Sequence, residues 1–183
     1  IEAAKNLAAR KIDKLDIGQV NKRFFITSVE VGFEPDNKTR KDVVQENISS
    51  LTAARRIKKF KPQPVKVWLD TDYRISSNLF NLSVINMADQ ARTRDDISTT
   101  DRKFAVCMVP YTEELESKSR LIAKRQYSRL PNASIFHASH VRVEGPRSMK
   151  VATDGVLYDN LPVDINIIPE TLRVIVGRKK SKG

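Results

Sequence analysis

The chain has 183 residues, of which 40% are hydrophobic and 30% charged. That is long and apolar enough for one domain, or one and a half, around a real core, and it excludes a disordered tail. No apolar run nears the roughly 20 residues of a membrane span, and a net charge of +11 with a pI near 9.9 calls for an anionic partner, either membrane phosphate or nucleic acid.

Ile1-Glu2-Ala3-Ala4-Lys5 does not read as a secretory signal. Glu2 to about Lys14 predicts a helix, with Ala3, Leu7 and Ala8 on one side, and Gly18 with Asn21 breaks regular structure after it. Phe24 to Val31 alternates as a strand with Phe25, Thr27, Val29 and Val31 on one face, before Glu34-Pro35-Asp36-Asn37-Lys38 turns the chain. A serine-capped helix follows from Ser49 or Ser50 to Phe60. Ala53 or Ala54, Ile57 and Phe60 face inward, while Arg55, Arg56, Lys58, Lys59 and Lys61 crowd its outer side and C-terminal end, until Pro62 and Pro64 stop it.

Val65 to Asp70 alternates as a strand, Asp70-Thr71-Asp72 is a hairpin turn, and Tyr73 to Ile75 begins the return. Leu79 to Ile85 is a further strand ending at Asn86, Met87 to Arg102 reads as an exposed loop, and Phe104 to Val109 as a buried strand. Thr112 to Arg129 reads as the best-marked helix, with Glu113 and Glu114 in its first turn and Lys124, Arg125 and Arg129 at its end. Ser139 to Glu144 and Met149 to Ala152 are short strands. Val163 to Ile167 and Leu172 to Val176 read as two strands separated by Pro169, and Arg178 to Gly183 as a disordered tail. Strands outnumber helices, so the expected fold is mainly β (α+β), a two-layer β-sandwich with a few covering helices.

The lone Cys107 makes no internal disulfide and no zinc site, which fits a reducing, cytoplasmic setting, and its apolar run assigns it a buried place. Glycine is scarce at 6 residues, and neither GxGxxG nor GxxxxGK[ST] occurs, so no loop offers the close backbone N–H groups that cradle a phosphate. Exposed aromatic platforms and known DNA-binding motifs are also lacking, which counts against nucleic acid.

The order Asp154-Gly155, short loop, Pro162, alternating strand, Ile168-Pro169, then Leu172 to Val176 resembles the closing segment of the diacylglycerol kinase-like lipid kinases, which include bacterial diacylglycerol kinases and relatives of sphingosine kinase. Earlier pieces resemble the same family in the same order: Ala3-Ala4, Ile12-Asp13, Leu15-Asp16-Ile17-Gly18-Gln19-Val20-Asn21, Phe24-Phe25-Ile26 through Gly32-Phe33, Leu51 to Arg55, Val65 to Asp70, and Asn81 to Asn86. The resemblance implies the C-terminal β-sandwich lobe, which holds a lipid and closes a cleft over ATP and Mg²⁺ with an N-terminal nucleotide lobe. The Gly-Gly-Asp-Gly-Thr signature of that nucleotide lobe is absent from these residues. The implied organisation is a helix and linker from the missing nucleotide lobe over 1–20, a substrate-binding β domain over 21–176 and a basic tail over 177–183.

The resemblance also assigns candidate site residues. Asp154 matches the acid of an Asp-Gly-Glu pattern whose Glu is the general base for the lipid hydroxyl, but Val156 stands at the Glu position and cannot accept a proton. Asp154 could orient substrate or metal, or simply make a tight hairpin turn. Asp101 matches an acidic position that helps hold Mg²⁺, and Arg102 replaces the adjoining glycine and would oppose a cation. Asp95 and Asp96 add acids nearby. His137 and His140 lack a third metal ligand, and Ser139 with His137 lacks a nucleophile elbow. The resulting expectation is a lipid-substrate lobe, inactive by itself, that works with ATP and Mg²⁺ in the complete protein. The alternative is a non-catalytic module on an anionic membrane surface, reached through the basic helix or peripherally.

Overall fold

The computed structural model describes residues 12–33, 49–71, 73–87 and 100–175. Eleven strands form one antiparallel sheet in the order β10-β9-β3-β5-β4-β8-β11-β1-β2, with β6 and β7 continuing off β5. The strands are β1 (Ile12–Val20), β2 (Arg23–Phe25), β3 (Ser28–Gly32), β4 (Gln63–Leu69), β5 (Tyr73–Ile85), β6 (Phe104–Pro110), β7 (Ser134–Ala138), β8 (His140–Glu144), β9 (Lys150–Thr153), β10 (Val156–Asn160) and β11 (Val163–Ile175). The sheet curls so that its inward side chains meet in one core, where Val20, Phe25, Val29, Val67, Leu82, Phe104, Val141 and Ile165 are buried together. The mainly β expectation holds, and curling lets a single sheet supply both sides of that core.

Helices cover part of the outer side. α1 (Ser50–Lys59) is capped by the Ser49 hydroxyl, which accepts the Thr52 N–H at 3.1 Å, and its last turn carries Arg56, Lys58 and Lys59. It buries Ala53 and Ile57. A second apolar cluster of Phe33, Ile57, Phe80, Leu115, Ile122, Tyr127 and Leu130 fills the space between these helices and the sheet. Phe80 stacks on Phe33 with centroids 4.6 Å apart and meets the edge of Phe60 at 5.3 Å.

Several local expectations are corrected. Thr112 to Arg129 is not one helix but a 3-10 turn (Glu113–Lys118), a short α2 (Ser119–Ala123) and a second 3-10 turn (Tyr127–Arg129). Arg125 has a φ of 54° there, a left-handed value that no continuous helix accepts. Ile12 to Lys14 belong to strand β1 rather than a helix, and β1 pairs with β11 from Ile12↔Ile175 to Val20↔Ile165, so the sheet begins well before residue 21. Gly18 lies inside β1. The Phe25 ring fills the space where its side chain would be, with ring carbons 2.0 to 2.6 Å from a Cβ placed there. Phe24 to Val31 is split by a bend at Ile26 and Thr27 into β2 and β3, which leaves Thr27 exposed. The two expected C-terminal strands are one strand, β11, because β1 pairs across the Pro169 region through a bulge between Leu15 and Ile17. Expectations for 1–11, 34–38, Asp72, 88–99 and 176–183 lie outside the described residues.

Candidate functional site

Two of the acids singled out from the sequence, Asp154 and Asp101, lie toward one end of the curled sheet. There the β2–β3 bend, the end of β5, the β9–β10 turn and the bulge of β1 against β11 come together. Asp154 occupies the β9–β10 turn at a φ of 50°, followed by Gly155 at 75°, a pair of left-handed residues that a two-residue hairpin requires. Its carboxylate does not point at solvent. One oxygen accepts the Thr27 N–H at 2.8 Å, the Thr27 hydroxyl at 2.6 Å and the Ser28 N–H at 3.1 Å, while the other accepts the Ile26 N–H at 3.0 Å. The Asp154 N–H in turn donates to the Ser28 carbonyl at 2.9 Å. Asp154 therefore satisfies the backbone groups that the β2–β3 bend removes from the sheet ladder. Val156 opens β10 opposite Thr153 in the same hairpin.

Asp16 does the same work a few residues away and was given no role of its own in the sequence reading. It is the residue skipped by the β1–β11 register and is buried. One of its oxygens accepts the Arg102 N–H at 3.0 Å and the other the Glu170 N–H at 2.9 Å. Arg102 and Glu170 both have left-handed φ values, 60° and 50°. The position where the lipid kinase resemblance expects glycine is thus one with glycine-like backbone geometry, occupied by arginine. The Arg102 guanidinium reaches Glu170 at 3.4 Å, and Lys14 reaches the same carboxylate at 3.4 Å. Asn86 completes the cluster. Its amide nitrogen donates to the carbonyls of Asp16 and Ile26, both at 3.0 Å, which joins β1 to the β2–β3 bend. Asp16 stands among polar and apolar neighbours alike and carries no local signal of this role, whereas Asn86 is marked by an amide that closes an apolar strand.

Asp101 lies beside this cluster, exposed, and one of its oxygens accepts the Lys103 N–H at 3.2 Å. The described residues do not fit a divalent cation. No three acidic, histidine or cysteine side chains gather to hold one among them. Both oxygens of Asp16 are committed to backbone N–H groups, and the nearest charges to Asp101 include the cation of Arg102. Asp95 and Asp96 lie outside the described residues.

The histidines are not brought together. His137 is exposed on β7, whereas His140 on β8 bonds the Asp164 carboxylate at 3.0 Å. The Ser139 hydroxyl donates to Asp70 at 2.8 Å rather than to a histidine, so no nucleophilic triad forms there. An open groove lined by Pro64, Lys66, Ser76, Asn78, Glu144 and Gly145 lies on the outer side of β4, β5 and β8 and contains none of the candidate residues. Along α1, Arg55, Lys58, Lys59 and Lys61 are exposed, and Lys58 pairs with Glu116 at 3.0 Å.

No protein-family model matches this chain, and no curated protein matches it. Solved structures do. A structure assigned as a diacylglycerol kinase from Bacillus anthracis str. Sterne superposes with a TM-score of 0.72 at 16% identity, covering 96% of this chain and 61% of that one. A further diacylglycerol kinase structure from the same strain gives 0.65 at 13% identity over 96% and 58%. An NAD kinase from Archaeoglobus fulgidus in complex with ATP gives 0.52 at 11% identity over 97% and 60%. These matches show the fold alone, a β fold shared with these kinase structures. Within it, the chain has the fold of the diacylglycerol kinase structures and spans about three fifths of their length. Among the described residues no helix is long and apolar enough to cross a membrane.

Proposed function

We propose that this chain is the C-terminal lipid-substrate lobe of a diacylglycerol kinase-like lipid kinase. In the complete protein it would present a lipid hydroxyl to the γ-phosphoryl group of ATP, and by itself it would be inactive. The observation that carries the reading is the superposition of 96% of this chain on 61% of a diacylglycerol kinase structure, with no Gly-Gly-Asp-Gly-Thr stretch among these residues. Phosphoryl transfer depends on positioning and on cations that neutralise the phosphates, with an acceptor for the hydroxyl proton. Among the described residues no three acidic, histidine or cysteine side chains gather to hold a cation, and valine stands at residue 156, the base position of the resemblance. Val156 has no acceptor, and the carboxylate of Asp154 already accepts four hydrogen bonds. Asp154 is thereby a positioning residue, holding the turn on which residue 156 is presented.

Three measurements test this. The chain should bind dioctanoylglycerol in solution, with amide resonances near Asp154 shifting, and no binding would overturn the lobe assignment. It should transfer no phosphate from ATP to that lipid, and turnover above background would overturn the inactive reading. Val156→Glu, in a protein that includes a nucleotide lobe, should raise turnover by about 10² or more if residue 156 is the base position.

A second reading, a non-catalytic module on an anionic membrane surface, is favoured by one observation. Arg55, Lys59 and Lys61 are exposed along and just beyond α1 without a carboxylate partner among the described residues. It predicts binding to anionic vesicles that weakens steeply with salt and is lost in Arg55→Gln/Lys59→Gln.

A further inference from the structure

The two ends of the sheet order, β10 and β2, share no backbone ladder, yet they face each other across a seam. Side chains close it. Asp154 spans from the β10 side to Ile26 and Thr27, the Arg23 guanidinium lies 5.0 Å from the Tyr158 ring centroid, and the Asn21 amide donates to Asp159 at 3.3 Å. Residues that face the core from these strands are covered, with Phe25 buried and Tyr158 packed against the core. Their neighbours face outward. Phe24 is 58% exposed, Ile26 44% and Leu157 41%. Seven large hydrophobic side chains are exposed among the described residues, and three of them flank this one seam. Apolar side chains scattered singly need no explanation, but a cluster rimmed by charge does.

The rim is cationic. Lys22 follows Asn21 in the β1–β2 turn, Arg23 begins β2, and Lys150 pairs with Asn160 at the end of β10. None of the three forms an ion pair with a described residue. Two acids share the seam, Asp154 held by four neutral donors and Asp159 by the Asn21 amide and the Asn160 N–H at 2.8 Å, so the three cations Lys22, Arg23 and Lys150 exceed the carboxylates by one charge. An aromatic and two aliphatic side chains beside these cations match the two layers of an anionic bilayer surface, acyl chains below and phosphates above.

We propose that the β2–β10 seam is the surface by which this domain docks on an anionic bilayer. Phe24, Ile26 and Leu157 enter the interface, Lys22, Arg23 and Lys150 meet the headgroup phosphates, and the Asp154 turn is brought against the membrane. The proposal rests on the lipid-substrate reading for its purpose, though its test does not.

The test measures partition of the chain onto phosphatidylglycerol vesicles that contain no diacylglycerol. Phe24→Ser/Leu157→Ser should lower the partition coefficient about tenfold, since it removes two half-exposed apolar groups. Lys22→Gln/Lys150→Gln should lower it about 25-fold, at about fivefold for each cation near the surface. Arg55→Gln/Lys59→Gln on α1 should change it less than twofold. If a serine variant fails to fold, Phe24→Trp in a Trp68→Phe background serves instead, and its emission should be quenched by lipids brominated in their acyl chains. Absence of binding by the unaltered chain, equal binding by the seam variants, loss confined to the α1 variant, absence of quenching, or self-association through the seam would each overturn the proposal. Dioctanoylglycerol binding in solution, with no bilayer present, reports separately on the substrate reading.

Discussion

The helix-covered side of the sheet and its Asp16–Asp154 end are held together in opposite ways. Under the helices, Phe33, Phe60, Phe80 and Tyr111 form a continuous chain of ring contacts, with apolar neighbours from α1, α2 and β6. That packing is non-directional, so its strength follows buried area and volume. At the other end, two carboxylates and one amide hold irregular backbone in which Asp154, Gly155, Arg102 and Glu170 have positive φ. There the strength lies in individual hydrogen bonds between side chains and backbone groups. The first region tolerates small apolar exchanges, and the second tolerates almost no change of atom type at Asp16.

The largest effect should come from the packed side. Phe80 is fully buried and touches rings on two sides, so Phe80→Ala should cost about 4 kcal/mol, the range of large-to-small changes in a closed core. Phe80→Leu should cost about half of that, since much of the volume is kept. Urea titrations read both. Asp16→Ala comes next at about 3 kcal/mol, because it leaves the part-buried N–H groups of Arg102 and Glu170 without their acceptor. Asp16→Asn should recover part of that loss, since an amide keeps one acceptor oxygen. Recovery by Asp16→Leu instead would show that this end is held by packing after all and would erase the contrast.

The contrast also explains what was legible in the sequence. The mainly β class, α1 with its Ser49 cap, β4, β6 and the Asp154-Gly155 turn could be read because period-2 alternation, a capping serine and Asp-Gly each act over a few neighbouring residues. The Thr112 to Arg129 segment has helix-like charge placement, yet its apolar residues are fixed by the aromatic cluster, and the chain there breaks at Arg125. Tertiary packing overrode local propensity. At the candidate site, Asp154 and Asp101 could be located through resemblance. The role of Asp16 could not, because its partners Arg102 and Glu170 lie 86 and 154 residues away. The continuity of β11 was hidden for the same reason, since Pro169 reads as a break unless the partner strand bulges opposite it.

A smaller effect is expected from acid. Burial tends to raise the Asp70 carboxyl, but hydrogen bonds from the Ser139 hydroxyl and from the His140 and Ser139 N–H groups, with the nearby His140 ring, outweigh it and hold Asp70 below its ordinary 3.8. Burial likewise tends to raise Asp164, and His140, Asn166 and Arg142 together hold it below the same value. A carboxyl with a depressed folded pKa contributes stability above its unfolded value, and the contribution is lost as pH falls through the folded value. The stability of the chain should therefore be flat in this respect above about pH 4 and fall below it. Asp70→Asn should cost about 1 kcal/mol at pH 6 through its hydrogen bonds, with a smaller further loss than the unaltered chain between pH 4 and pH 3. Urea midpoints at the three pH values decide it, and parallel acid limbs would remove Asp70 from the account.

The smallest signal is also the one that separates the two regions most directly. Cys107 is buried beneath the helices, and that burial pushes its thiol up to about 12, so the reactive thiolate is scarce at pH 8. In the folded chain a thiol reagent should label it only when the helical layer lifts from the sheet. The 3-10 turns and short α2 make that layer an easier unit to open than the eleven-stranded sheet. Phe80→Ala, which loosens the layer itself, should speed labelling strongly. Asp16→Ala should leave the labelling rate within about twofold, although it removes about 3 kcal/mol of global stability, a loss worth roughly 150-fold in any opening that requires complete unfolding. A rate that rises by that larger factor would mean the helical layer and the Asp16–Asp154 end unfold as one cooperative unit. An unchanged rate would mean that packing on one side and charge-to-backbone bonding on the other define two separately opening parts of the same sheet.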